Sequence, residues 1–265
     1  MGFSPPIPDL FGFGRTIHAA LGKLHESFPE SVPSAEEAQS VATDIFHLKH
    51  VPPSSDPEER PGPYERARDK AAEITGTYAD DFADDFRYKR QLEVRFEAPF
   101  RGGVIAGSID LLTEYDAEGN IVDASVIDFK AIEMGPEERP KAYDWTELAL
   151  QVQLYAMAAT EVLGKNARTG KVHFLKDSER VEVPISDEAI LATLENLEWA
   201  TDRILASDFP MRPAERKCKD CDWKDLCPKV PQEFATDTRP PPIHVPTGEG
   251  PMMILAFREF EGGPS

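Results

Sequence analysis

The stretch from Gly107 to Lys130 reads GSIDLLTEYDAEGNIVDASVIDFK. Its two halves are rich in Ile, Val, Leu, Thr and Tyr and flank the turn DAEGN, residues 116–120, so they read as paired strands. Asp110 lies nine positions before Gly119, and Asp128 lies nine after it. A hairpin symmetric about that turn sets the two aspartates opposite each other on one face, roughly 5 Å apart. Two ionised carboxylates that close repel unless a proton or a cation sits between them. A hard divalent ion such as Mg2+ or Mn2+, which prefers oxygen ligands, suits the gap. Lys130, two residues after Asp128, shares its face. Charge on strands otherwise built of Ile, Val, Leu and Phe is costly unless the face is solvated or the charges do chemistry. The residues by themselves leave both readings open.

Outward from the hairpin the pattern stays mixed. Upstream, QLEVRF (91–96) alternates apolar and charged residues as a strand does, with Glu93 read as a solvated strand position. Further upstream, residues 13–28 place Ile17, Leu21, Leu24 and Phe28 on one helical face. Ser34 and Glu37 fit a capping box, and the prolines of 51–63 mark a loop before a charged helix from about Tyr64 to Phe86. Downstream, DWTELALQVQLYAMAATEVLG (144–164) predicts a helix stopped by Gly164. KVHFLK and RVEVPI form a hairpin around DSE, and residues 187–207 form another helix. Helices, antiparallel strands, a helix, a hairpin and a helix make an α/β chain.

The 265 residues suffice for a sizeable core. No apolar run approaches a membrane span, and the first residues lack the basic and apolar regions of a signal peptide. Three clustered cysteines are not a disulfide framework, which places the protein in a reducing, cytoplasmic setting. A formal net charge of −19 argues against generic nucleic-acid binding, although a local cleft can differ from the whole.

Gly107-x-x-Asp110, Asp128-Phe129-Lys130 and Gln151-x-x-x-Tyr155, in that order, resemble the motifs of the PD-(D/E)XK nucleases. The Gln-x-x-x-Tyr pair is similar to that of the RecB-like branch, which includes AddA, AddB and domains fused to UvrD-like helicases. Gly14 to His18 resembles the branch's first helical motif. The resemblance implies a restriction-endonuclease-like core, with a central mixed sheet flanked by helices and a helical insertion. It implies that His18, Asp110, Asp128 and the backbone carbonyl of Phe129 bind Mg2+ or Mn2+. It further implies that Lys130 activates water, and that Gln151 and Tyr155 line the site from one helix face. His25, seven residues after His18, lies near the same face and competes for its role. Arg15, Lys23, Lys130 and Arg101 are the basic residues expected nearby.

The resemblance divides the chain into a nuclease domain, 1–230, with a helical insertion at 31–90 and a cysteine knuckle at 217–228. Residues 231–265 are expected to be a linker or poorly ordered tail. It implies an exonuclease acting on DNA with a UvrD-like or AddAB-type helicase, in recombination and repair. A catalytically silent DNA-binding module and a zinc-knuckle interaction protein are the alternatives.

The knuckle, Cys218, Cys221 and Cys227, has the C-x2-C-x5-C spacing of the branch's iron–sulfur members. In those members the resemblance implies a 4Fe–4S cluster with a fourth cysteine before the first helix, where this chain has none. Three explanations are open: a cysteine preceding Met1 in a longer helicase–nuclease chain, a Zn2+ site completed by His173 or His244, or an empty remnant.

Overall fold

The computed structural model describes residues 12–117, 121–131, 145–213, 218, 221–235, 242–246 and 252–255. The chain enters with α1 (Phe13–Ser27), whose Ile17, Leu21 and Leu24 are fully buried. The i, i+4, i+7 spacing makes that stripe, and each such side chain contributes roughly 1.5–3 kcal/mol on burial. Next comes α2 (Ala35–Ile45), opened by the expected capping box: Glu37 N–H donates to Ser34 Oγ, and Ser34 N–H donates to Glu37 Oε2. Helix α3 (Pro63–Asp81) carries Pro63 in its first turn, where no amide hydrogen is missed. A break at Phe82 separates it from the short α4 (Asp84–Arg87), so the single helix expected to run to Phe86 is two.

Three strands follow: β1 (Lys89–Phe100), β2 (Gly103–Ala117) and β3 (Ile121–Lys130). Arg101 and Gly102 join the first two with both φ positive, the two-residue turn whose twist matches the strands. Helix α5 (Trp145–Glu161) precedes β4 (Asn166–Phe174), which lies parallel to β3. Gly164, at φ +64, provides the left-handed exit after that helix. β5 (Glu179–Val183) completes a sheet of order β1-β2-β3-β4-β5, antiparallel except between β3 and β4. Helix α6 (Asp187–Leu205) follows. The α/β class and the flanked mixed sheet are therefore as expected.

The sheet separates two apolar cores. Leu111, Ile127 and Phe129 face α1, α2 and α3, whereas Leu112 and Val126 face α5. Neighbours in sequence thus go to opposite layers, as the pleat requires. The region expected to be a helical insertion is part of the first layer: Ala38 of α2 and Ala71, Ile74 and Tyr78 of α3 are buried there. Residues 242–245 depart from the expected tail. They form β6 (Pro242–Val245), paired with β7 (Met252–Leu255), and bury Ile243 and Val245 in the second layer. Gln153 of α5 donates to the His244 carbonyl and fastens the hairpin there.

A buried polar chain crosses the first layer. His25 Nε2 lies 2.8 Å from Tyr78 Oη, which in turn donates to Asp85 at 2.7 Å. Asp85 accepts both terminal nitrogens of Arg180, and Arg180 Nε donates to His173 Nδ1 at 3.1 Å. His25 is therefore a core residue, held through Nε2 with Nδ1 buried and unpartnered, and not the rival of His18.

Candidate active site

The hairpin register is symmetric about Gly119. Leu111 pairs with Ile127 and Glu114 with Ala124, and one step further along the same register brings Asp110 beside Asp128. Gly107, first residue of the Gly-x-x-Asp motif, pairs with Phe96. A Cβ on Gly107 would come within 2.7 Å of the Phe96 ring, so the aromatic ring occupies the space that the glycine leaves.

At the end of β3 the strand backbone itself enters the site. Phe129 N–H donates to Asp110 Oδ2 at 2.7 Å. Phe129 O lies 3.0 Å from His18 Nε2, and because a carbonyl only accepts, that nitrogen carries the hydrogen. His18 Nδ1 then faces Asp110 Oδ1 at 3.6 Å. A bare lone pair opposite a carboxylate is unfavourable, so this gap calls for a proton or a metal cation. Burial works against charge on His18, but the hydrogen bond and charge of Asp110, with the charges of Asp128 and Glu93, outweigh it and raise the imidazole pKa above 6.5.

Asp128 is 1% exposed, and neither carboxylate oxygen receives a hydrogen bond. Lys130 Nζ lies 2.7 Å from Oδ2 and forms a close ion pair with it. Burial, only partly offset by Lys130 and reinforced by Asp110, pushes the Asp128 pKa up to about 6. Lys130 also donates to Gln151 Oε1 at 3.0 Å, and Gln151 Nε2 donates to Tyr155 Oη at 2.7 Å. Gln151 and Tyr155 are one turn apart on α5, which is why a single helix face presents both. Burial raises the Tyr155 pKa, so its hydroxyl stays protonated.

His18, Asp110, Asp128, Lys130, Gln151, Tyr155 and the Phe129 carbonyl thus converge on one region, drawn from α1, β2, β3 and α5. An open cleft of about 730 Å³ leads to it, lined by Gly14, Arg15, His18, Lys23, Glu93 and Asp110 among others. Arg101 is not part of that lining; it binds Asp202 and Glu198 on α6. Glu93 lies on β1 and is solvated, as the sequence suggested. It is exposed, yet a carboxylate oxygen lies within 4.8 Å of ligand atoms of both His18 and Asp110. Its backbone has φ +48, which costs a non-glycine residue on the order of 1 kcal/mol or more. The donor set of imidazole nitrogen, carboxylates and backbone carbonyl, with a buried aspartate lacking hydrogen bonds, fits a hard divalent cation.

The cysteines do not fit a four-thiolate cluster. The chain supplies three, Cys218, Cys221 and Cys227, each partly exposed and unpaired. Among the described residues, no histidine or acidic residue joins them in a three-ligand group. His173, one expected zinc ligand, is locked in the core: its Nδ1 is taken by Arg180 and its ring packs 4.3 Å from Phe82. Tyr78 and Phe129 also pack against it, and burial, with the charge of Arg180, lowers its pKa to about 2. His244 is buried on β6, with its Nε2 lacking a partner.

A mixed sheet whose central hairpin ends in two aspartates and a lysine defines the class of nuclease-fold α/β proteins. The chain belongs to the PD-(D/E)XK nuclease superfamily, whose family model matches residues 5–228. Members of that superfamily are in general phosphodiester-hydrolysing nucleases that use Mg2+ or Mn2+. No curated protein matches the chain. Among the described residues, no helix is long and apolar enough to cross a membrane.

Proposed function

We propose that the chain is a metal-dependent deoxyribonuclease of the RecB-like branch, acting as an exonuclease on single-stranded ends beside a UvrD-like or AddAB-type helicase in repair. The observation that carries this reading is the Asp110–Asp128–Lys130 set: both aspartates are buried, Lys130 pairs with Asp128, and Asp110 opens on the cleft. His18, Asp110, Asp128 and the Phe129 carbonyl would hold the cation. When bound, Mg2+ or Mn2+ lowers the pKa of water and neutralises charge developing on the phosphate.

The chain's own groups do the rest. Lys130, held between Asp128 and Gln151, would orient a water and face the scissile phosphate with its ammonium. Gln151 fixes that ammonium, and Tyr155 fixes the Gln151 amide. Arg15 and Lys23 on the cleft wall offer positive charge to a nucleic-acid backbone in a chain that is otherwise acidic. A helicase partner supplies the remaining phosphate contacts.

End-labelled single-stranded DNA with Mn2+ tests the reading. Progressive loss of label, abolished by EDTA and by Asp128→Ala, supports it. A folded wild-type chain that leaves DNA intact with either metal, alone and with a helicase, overturns it.

A further inference from the structure

Thr113 pairs with Ser125 across β2 and β3, and Ser125 pairs with Thr169 across β3 and β4. Paired residues share a face, so three hydroxyl side chains stand in a row on neighbouring strands, roughly 4.8 Å apart. The next rung of that face is Leu111, Ile127 and Lys171, of which the first two belong to the first apolar layer. Asp110 and Asp128 lie three positions from Thr113 and Ser125, an odd step that puts them on the opposite face of the sheet.

A buried polar side chain ordinarily finds a partner within the protein. Ser125 is 5% exposed, yet its Oγ has no hydrogen-bond partner among the described residues. Its face of the sheet forms the floor of a second cleft, of about 300 Å³, which Thr113, Thr169 and Lys171 also line. The break between α3 and α4 adds Asp81, Asp84 and Asp85, and Tyr88 and Tyr115 add their rings. Those rings lie 5.9 Å apart at 53°, and Tyr88 is 41% exposed.

Charge in the cleft cancels. Asp85 is paired with Arg180 and Asp84 with Arg87, which leaves the Lys171 ammonium against the Asp81 carboxylate. Such a site suits an uncharged polar ligand of small-molecule size. Each hydroxyl of the row can both donate and accept, so the row matches an edge on which donors and acceptors alternate. Exposed tyrosine rings match a flat aromatic face. A polyol would use the row and leave the rings bare, whereas a nucleobase uses both.

We propose that this cleft binds a nucleoside through its base, with Thr113, Ser125 and Thr169 reading the base edge and Tyr88 and Tyr115 stacking on its face. Lys171 donates to a base carbonyl. The inference rests on the far face of the sheet and not on the nuclease reading.

The full chain is titrated by calorimetry with adenosine, guanosine, cytidine and uridine in turn, with EDTA present, and melted with and without each. At least one binds, with a Kd on the order of 0.1 mM. Ser125→Ala weakens that binding about fivefold to tenfold, and Tyr88→Ala, at an exposed position, about tenfold. Without ligand, Ser125→Ala melts no lower than wild type, because its hydroxyl satisfies nothing inside the protein. The proposal is overturned if none of the four binds, or if ribose alone binds as well as the nucleoside. A 5′-monophosphate that binds more than tenfold tighter than its nucleoside also overturns it. So does binding that survives Ser125→Ala and Tyr88→Ala unchanged, or a ligand-free Ser125→Ala chain that melts lower, which would give the hydroxyl a structural role instead.

Discussion

Phe129 N–H donates to Asp110 Oδ2 at 2.7 Å, so one aspartate is anchored by the strand that carries the other. Asp128 has no such anchor, and its two oxygens are buried without hydrogen bonds. Substituting it should therefore relieve the metal-free fold while harming chemistry. Because burial outweighs the Lys130 ion pair and raises the Asp128 pKa, Asp128→Asn is expected to raise stability at neutral pH by about 1 kcal/mol and to lower cleavage by about a hundredfold or more. Asp110→Asn should lower cleavage without the stability gain. Thermal melts beside a cleavage assay check both, and a destabilised Asp128→Asn would contradict the argument.

The Lys130–Gln151–Tyr155 relay predicts a graded loss. Lys130→Met removes the charge itself, Gln151→Leu removes what holds it, and Tyr155→Phe removes one hydrogen bond worth about 1 kcal/mol. Single-turnover rates should fall in that order, with Tyr155→Phe costing about tenfold or less. An equal loss in all three would mean that the three side chains act as one unit.

Stability should depend on pH through the buried histidines. Burial first, then Arg90 and Arg180, lowers the His25 pKa to about 3, and burial with Arg180 lowers that of His173 to about 2. Both are bases with depressed folded-state values, so below pH 6.5 the unfolded chain binds more protons and stability falls. The slope is on the order of 1 kcal/mol per histidine per pH unit. Asp128 works in the opposite sense: its raised value favours the fold at low pH, and that contribution is lost as pH rises through about 6. Urea midpoints between pH 6.5 and 5 should fall on acidification, and fall more steeply in Asp128→Asn. A flat wild-type profile would count against neutral, buried histidines.

Divalent metal should stabilise the chain, and acid should cancel the effect. Because Asp128 must be ionised to act as a ligand, Mn2+ affinity is expected to drop about tenfold per unit below pH 6. Melting temperatures with and without Mn2+ at pH 7.5 and pH 5 measure this directly. An equal shift at both values would place the ion elsewhere.

Much of the site could be read from the hairpin because its geometry is local. A period of two and a turn centred on Gly119 are enough to set Asp110 against Asp128, and Lys130 follows from parity. Parity also places Glu93 opposite Asp110, but its left-handed backbone is not a property that a glutamate announces. His18 and His25 are seven residues apart on one helix, and the hydrogen bond to Tyr78 marks His25 as the core residue of the two. Ile243 and Val245 looked like part of a proline-rich tail because the layer that buries them is built from α5 and β4, far away in sequence.

Gly107 offers a test of packing at the site's edge. Gly107→Ala would drive a Cβ into the Phe96 ring and should cost about 1–3 kcal/mol. Adding Phe96→Leu should recover part of that loss, and a double-mutant cycle by urea unfolding reports the coupling.

The chain of contacts from His25 through Tyr78, Asp85 and Arg180 to His173 also sets an order of events during synthesis. The helix that bears His18 leaves the ribosome early, whereas the arginine that completes its tether lies on β5. Until β5 emerges, that helix lacks its far anchor at His25. In a chain built this way, the first-made helix gains its last buried polar tether from a strand that arrives late.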